Sequence, residues 1–202
     1  MVKVKQALVS VSDKSGLNDF VKFLKFELGV TILSTGGTAR ALSADGVEVI
    51  EVADYTRSPE LLDGRVKTLH PKVHAGILYR RELPAHVGQM KTMGWEGIDM
   101  VIVNLYPFES VIQKENAPFS EAIENIDIGG PCLLRASAKN HQSVVVVSDP
   151  ADYAWVQAEL KEQNGDLSPQ SRRKLALKAF ARTSQYDNTI STYLQKIISS
   201  GS

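Results

Sequence analysis

Val30-Thr31-Ile32-Leu33-Ser34-Thr35-Gly36-Gly37-Thr38-Ala39-Arg40-Ala41-Leu42 decides how the rest of the chain is read. The β-branched, apolar run Val30–Leu33 predicts a buried strand. Ala39 to Leu42 are good helix formers. Between them, paired glycines let a backbone approach an anion closely, and the free N–H groups at a helix start point at it. The hydroxyls of Ser34, Thr35 and Thr38 are further candidate donors. No Lys-Ser/Thr pair follows, so this is not a Walker A loop. The three spaced glycines of the dinucleotide fingerprint are also missing. The competing reading of the string is a capped turn with no ligand.

Working outward, Gln6–Val11 reads as a first strand that ends in the polar turn Ser12-Asp13-Lys14-Ser15-Gly16. Leu17, Phe20, Val21, Leu24 and Leu28 recur at helical spacing, with Gly29 to close that helix. Residues 47–51 read as a third strand. Strand–helix–strand–helix–strand order argues for a parallel sheet, in which ligands sit beyond the carboxyl ends of the strands. Residues 54–72 show no periodicity yet carry enough apolar side chains to be ordered. Residues 84–95 read as a helix, 99–104 as a buried strand, 119–125 as a short helix, and Pro131 suits the first turn of another. Residues 143–147 form a last strand. Beyond it everything reads as helix, with Leu175, Ala179, Phe180, Thr183, Tyr186, Ile190, Tyr193, Leu194 and Ile197 making a stripe for core packing or a subunit contact.

The composition excludes several classes. At 202 residues the chain is long enough for a proper core, and 43% hydrophobic with 23% charged residues is ordinary for a globular protein. A formal net charge of +0 gives no field that favours nucleic acid or an anionic membrane. The single cysteine, Cys132, precludes an internal disulfide and suits a reducing cytoplasm. No leader and no membrane-spanning run is legible, so neither nucleic acid nor a membrane is an expected partner.

Lys14, Arg65, Lys67, Lys72 and Lys139 each sit in or beside a glycine- or hydroxyl-rich turn. Cations converging on one strand-end crevice would bind phosphate, and a lysine perturbed by its neighbours is a usable acid or base. His70 and His74 have a metal-pair spacing, but Pro71 lies between them and no third ligand is placed, so a hydrogen-bonded wall histidine is preferred. Asp127 is either an N-cap or the first residue of an oxyanion site built from the N–H groups of Ile128, Gly129 and Gly130. Tyr106 follows a strand end, where residues tend to line sites. Cys132 reads as a small buried residue.

The segments Ser12-Asp13-Lys14, Ser34–Thr38, Gly64–Pro71, Asn104–Phe108, Asp127–Gly130 and Arg135–His141 occur in this order. Together they resemble the inosine monophosphate cyclohydrolase domain of the bifunctional purine-biosynthesis enzymes. The resemblance covers essentially the whole chain and implies a methylglyoxal synthase-like fold. That is a three-layer α/β arrangement, a mostly parallel sheet flanked by helices, with a helical C-terminal extension. One domain over residues 1–202 is expected, divided into a core at 1–148 and an extension at 149–202.

The implied reaction closes the purine ring of 5-formamido-4-imidazolecarboxamide ribonucleotide, with loss of water, to give inosine monophosphate. Lys67, Tyr106, Asp127 and Lys139 are the implied catalytic residues. Ser12, Asp13, Lys14, Ser34, Thr35, Gly36, Gly37, Thr38, Arg65, Thr68, His70, Asn104, Ile128, Gly129 and Gly130 are the implied substrate-binding residues. No metal and no organic cofactor is implied. The expected partners are the nucleotide substrate, a second copy of the chain, and a formyltransferase on a separate polypeptide, since no second domain is seen before Ser202. The expected location is the cytoplasm. A methylglyoxal synthase-like lyase and a non-catalytic nucleotide sensor are the alternatives.

Overall fold

A computed structural model of the chain describes residues 3–113 and 118–200. Five strands form one sheet: β1 (Gln6–Val11), β2 (Thr31–Ser34), β3 (Ile50–Glu51), β4 (Met100–Asn104) and β5 (Val145–Val147), in the order β3-β2-β1-β4-β5. Every ladder is parallel. The strands are apolar on successive residues, and Ala7, Leu8, Val9, Val101 and Ile102 have no exposed surface. That is the signature of a sheet covered by helices on both faces.

The helices are α1 (Leu17–Lys22, continued by a π-helical turn through Glu27), α2 (Gly36–Ala44), α3 (Val52–Thr56), α4 (Pro71–Leu78), α5 (Pro84–Thr92), α6 (Phe108–Ile112), α7 (Phe119–Glu124), α8 (Gly129–Lys139), α9 (Tyr153–Glu162) and α10 (Pro169–Ser200). This is the three-layer α/β arrangement with a helical C-terminal part that the sequence predicts. The C-terminal helices belong to the same core. Tyr153 of α9 stacks on Phe20 of α1 with ring centroids 4.8 Å apart, and α10 packs on α8 and β5.

The sequence reading differs from the fold in four places. The third strand is shorter than 47–51, because the Val47 amide closes the end of α2 on Leu42 O (3.0 Å), leaving Ile50 and Glu51 to pair with β2. The segment 54–72 is partly ordered as helix. It starts inside α3, passes through left-handed residues at Leu62, Asp63 and Gly64, and delivers Pro71 as the first residue of α4. Helix α6 is too short to show a period. The stripe on α10 is also divided: Leu175, Ala179, Thr183 and Tyr186 are buried, whereas Phe180 is 39% exposed beneath the Arg135 guanidinium.

The strand order reverses between β1 and β4, and crevices at such a reversal are where α/β sheets bind ligands. Two hydrogen-bonded devices hold that pair together, the first buried and the second nearer the surface. At the amino end, the Asp99 carboxylate accepts from the amides of Lys5 (2.7 Å) and Gln6 (3.0 Å) and pairs with Arg81 at 2.6 Å. At the carboxyl end, Asn104 Oδ1 accepts from the amides of Ser12 (2.6 Å) and Asp13 (2.9 Å), and its Nδ2 donates to Asp13 O at 2.8 Å.

Candidate functional site

The loop after β2 is organised by its hydroxyls, but not in the way the string suggests. Ser34 Oγ donates to Val9 O (2.8 Å), and Thr35 Oγ1 lies 2.9 Å from Ser10 Oγ. Thr38 Oγ1 donates to Val11 O (3.0 Å) and accepts from Val11 N (3.1 Å). All three are buried. Two of the three expected phosphate donors, Ser34 and Thr38, are therefore spent on sewing the loop to β1. What remains for an anion is backbone. Gly36 has φ +46, a left-handed value that suits glycine, and the N–H groups of Gly36 and Gly37 make no hydrogen bond among the described residues.

Two cations flank this turn. Lys67 Nζ lies 3.3 Å from where a side chain on Gly36 would begin, and Arg40 Nη2 lies 3.9 Å from the same point on Gly37. They share a pocket of about 100 Å³ with Thr35, Glu51 and His70. His70 Nδ1 accepts from Lys72 N (3.1 Å), which caps α4 and leaves Nε2 to carry the ring proton. Arg40 is absent from the sequence-predicted set, although it lies four residues after Gly36 and so on the same helix face.

The second half of the site is the turn before α8. Asp127 Oδ1 accepts from Gly130 N (2.8 Å), and Asp127 N donates to the Tyr186 hydroxyl (2.8 Å). Burial raises the Asp127 carboxyl above its ordinary range, against the pull of the Gly130 and Tyr106 amides and of the Lys67 ammonium. These interactions bring Lys67, Tyr106 and Asp127 to one place. Thr68 Oγ1 stands 2.6 Å from where a Gly129 side chain would begin, so only glycine fits there. The oxyanion reading narrows. Gly130 spends its N–H on Asp127, which leaves the amides of Ile128 and Gly129, with the Ile128 residue 55% exposed.

Other predicted residues are held by partners of their own or lie along other elements. Lys139 ends the 11-residue α8 and is exposed. At 1.5 Å per residue that is about 15 Å from Gly129. Arg65 is ion-paired with Glu124. Lys72 Nζ donates to Tyr55 O (2.5 Å) and lies 4.0 Å over the Tyr55 ring. Lys14 is exposed, with its ammonium 3.4 Å from Ser12 O. Asp13 accepts from the Ser15 hydroxyl and amide, which hold its carboxyl below the usual range. Asn104 is committed to backbone, so its part in a site is to fix the Ser12–Asp13 turn. His74 is half-buried, and burial lowers its imidazole. Cys132 is a free, half-buried thiol rather than a fully buried one. A second cleft of about 710 Å³ opens between the Ser12–Asp13 turn and α10, and Asn104, Asp149, Lys178 and Arg182 line it.

Comparison with known proteins extends the geometry. Residues 16–132 match the MGS-like domain, and residues 137–201 match the AICARFT/IMPCHase bienzyme family, the two matches meeting inside α8. The bifunctional purine biosynthesis protein PurH of Neisseria meningitidis is 55% identical over 197 residues. Those residues are 98% of this chain but 37% of that protein, so the chain spans little more than a third of the relative's length. The crystal structure of ForH superposes with a TM-score of 0.83 at 36% identity, covering 93% of this chain and 97% of that one. Since the first match alone takes in over half of the chain, including both halves of the site just described, the chain belongs to the MGS-like domain family.

Proposed function

We propose that the chain is an inosine monophosphate cyclohydrolase, closing the ring of 5-formamido-4-imidazolecarboxamide ribonucleotide with loss of water. One observation carries the reading. A carboxyl raised by burial, within the field of the Lys67 ammonium, stands at the turn that carries the Ile128 and Gly129 amides, and Lys67 in turn flanks the anion cradle after β2. A lyase acting on a triose phosphate needs a base beside the cradle but no Tyr106 or Lys139 motif, and a sensor domain needs the cradle without a full set of acid–base groups. The similarity to PurH and to the AICARFT/IMPCHase family points the same way.

In this reading Gly36, Gly37 and Arg40 receive the phosphate end, and the Ser12–Asp13–Lys14 turn, Arg65, Thr68 and His70 border the nucleotide. The carboxamide nitrogen attacks the formyl carbon and gives up a proton to Asp127. The formyl oxygen becomes an oxyanion against the amides of Ile128 and Gly129, where one donor is worth about 2.7–4 kcal/mol. Lys67 stabilises that charge, and Tyr106 borders the reacting centre. Asp127 returns its proton to that oxygen, which restores the carboxylate and leaves a hydroxyl on the new ring carbon. The C–O bond then breaks, and the hydroxyl departs as water with the proton of the former formamide N–H as the ring C=N bond forms. Because both reacting groups belong to one molecule, the enzyme has only to freeze the formyl and carboxamide rotors in the attacking geometry. The Lys139 role that the resemblance implies has no geometric counterpart in this cluster.

The proposed setting is the cytoplasm, with a second copy of the chain as partner through the exposed Leu177 and Phe180 of α10. Among the described residues no helix is long and apolar enough to cross a membrane. The test follows absorbance when the purified chain meets the formylated ribonucleotide. Ring closure is expected there, and none from unformylated ribonucleotide with formyl-tetrahydrofolate, because formyl transfer is not assigned to these 202 residues. Phosphate release from dihydroxyacetone phosphate would favour the lyase, and inosine monophosphate binding without turnover would favour the sensor.

A further inference from the structure

The Asp127 turn is fastened from outside the segment that matches the MGS-like domain. Its amide donates to the hydroxyl of Tyr186, on α10, at 2.8 Å. The same hydroxyl faces Asn125 O at 3.5 Å, so it spans both ends of the turn. Tyr186 is 2% exposed. Its ring meets the edge of Phe108, centroids 6.2 Å apart, and Phe108 closes the loop that carries Tyr106. One side chain thus touches both loops that bring the reacting groups together. Within the described residues no other side chain donates to or accepts from the Asp127 amide.

We propose that Tyr186 is a positioning residue for ring closure: its hydroxyl holds the Asp127 amide, and with it the carboxyl and the Ile128–Gly129 amides, in register with Lys67. This rests on the cyclohydrolase reading. The reason is geometric. Gly130 ties the Asp127 carboxylate to the first turn of α8, so any rotation of the Asp127 peptide swings carboxylate and oxyanion donors together. Among the described residues the Tyr186 hydroxyl is the side-chain partner of the Asp127 amide, and it opposes that rotation at the peptide itself. Misplacing reacting groups by about 1 Å costs up to ~100-fold in rate. The charged groups around the pair are Asp127 itself, Lys67, Asp187 and Arg182.

The test is Tyr186→Phe, which keeps the ring on Phe108 and removes the hydroxyl alone. Tyr193→Phe is its control. Tyr193 is on the same helix and meets Phe108 at 5.7 Å, but touches neither loop's backbone. With the formylated ribonucleotide, Tyr186→Phe is expected to lower kcat about tenfold with KM within about twofold. The acid limb of the kcat profile should move to lower pH as a loosened turn lets water reach Asp127. Tyr193→Phe should leave all three unchanged. A Tyr186→Phe enzyme with wild-type kcat and pH profile, whatever its melting temperature, overturns the proposal. Amide exchange read by NMR separates this from failure of the cyclohydrolase reading. If the wild type does not turn over, faster exchange at Asp127 with unchanged exchange at Leu133 still supports the clamp. Equal exchange at Asp127 in variant and wild type removes it.

Discussion

Asp127 is under opposed demands. Its carboxyl is raised by burial, so the ionised form destabilises the fold at neutral pH. That cost is absent below the unfolded carboxylate pKa and grows as pH rises through the folded one. Asp127→Asn keeps the acceptor for Gly130 N and removes the charge. It should therefore raise the melting temperature at pH 7 by roughly 2–4 °C, with the gain vanishing near pH 4. Ring closure should fall by about 10²–10⁴-fold. Calorimetry and the absorbance assay on one preparation check both. Lys139→Ala, in contrast, should keep turnover within about threefold, as its distance from Asp127 implies; a larger loss would place Lys139 in the chemistry. Residue types at the site were legible through the ordered motifs that carry the resemblance, since taken singly Asp127 reads equally as an N-cap and the paired glycines as a capped turn. Their hydrogen bonds were not. Nothing in Ser34-Thr35-Gly36-Gly37-Thr38 reveals that Val9 and Val11, on another strand, claim two of the hydroxyls.

Elements divide by how much of their stabilisation is local. Strands β1, β4 and β5 and the long α10 were readable because burial writes a period or an unbroken apolar run into the sequence. Helices α4 and α6 were not, since their starts depend on caps and on partners. His70 caps α4 through its ring, an unusual choice that no Ser/Thr/Asp rule finds. Two predictions belong here. Asn104→Ala frees three backbone groups where β1 and β4 end and should cost roughly 3 kcal/mol, measured by urea unfolding. Of the two glycines before α2, Gly36→Ala should cost about 1–2 kcal/mol, being left-handed and 3.3 Å from Lys67 Nζ. Gly37→Ala, with 3.9 Å to Arg40 and an ordinary φ, should fold normally and still weaken phosphate binding by filling the anion's approach. Titration with inosine monophosphate separates these outcomes.

The whole molecule depends on one long-range pairing. Asp99 joins strands 93 residues apart and is neutralised by Arg81 in a buried pair. Arg81→Ala should therefore destabilise by about 3–5 kcal/mol, because it leaves the carboxylate buried without its cation. Sedimentation of the wild type should give twice 22.1 kDa if two copies cover the exposed face of α10, and 22.1 kDa if they do not. The strand order has a consequence for synthesis. β1 is the first strand to leave the ribosome and the central strand of the finished sheet. At about 5–20 residues per second, roughly 5–20 s pass before β4 is translated. Until β2 is made Ala7-Leu8-Val9 has two open edges, and from then until β4 arrives it keeps one. A nascent chain in this state is a substrate for chaperones and for edge-to-edge aggregation. Co-expression of a chaperone that binds nascent chains should accordingly shift newly made protein from the pellet to the soluble fraction.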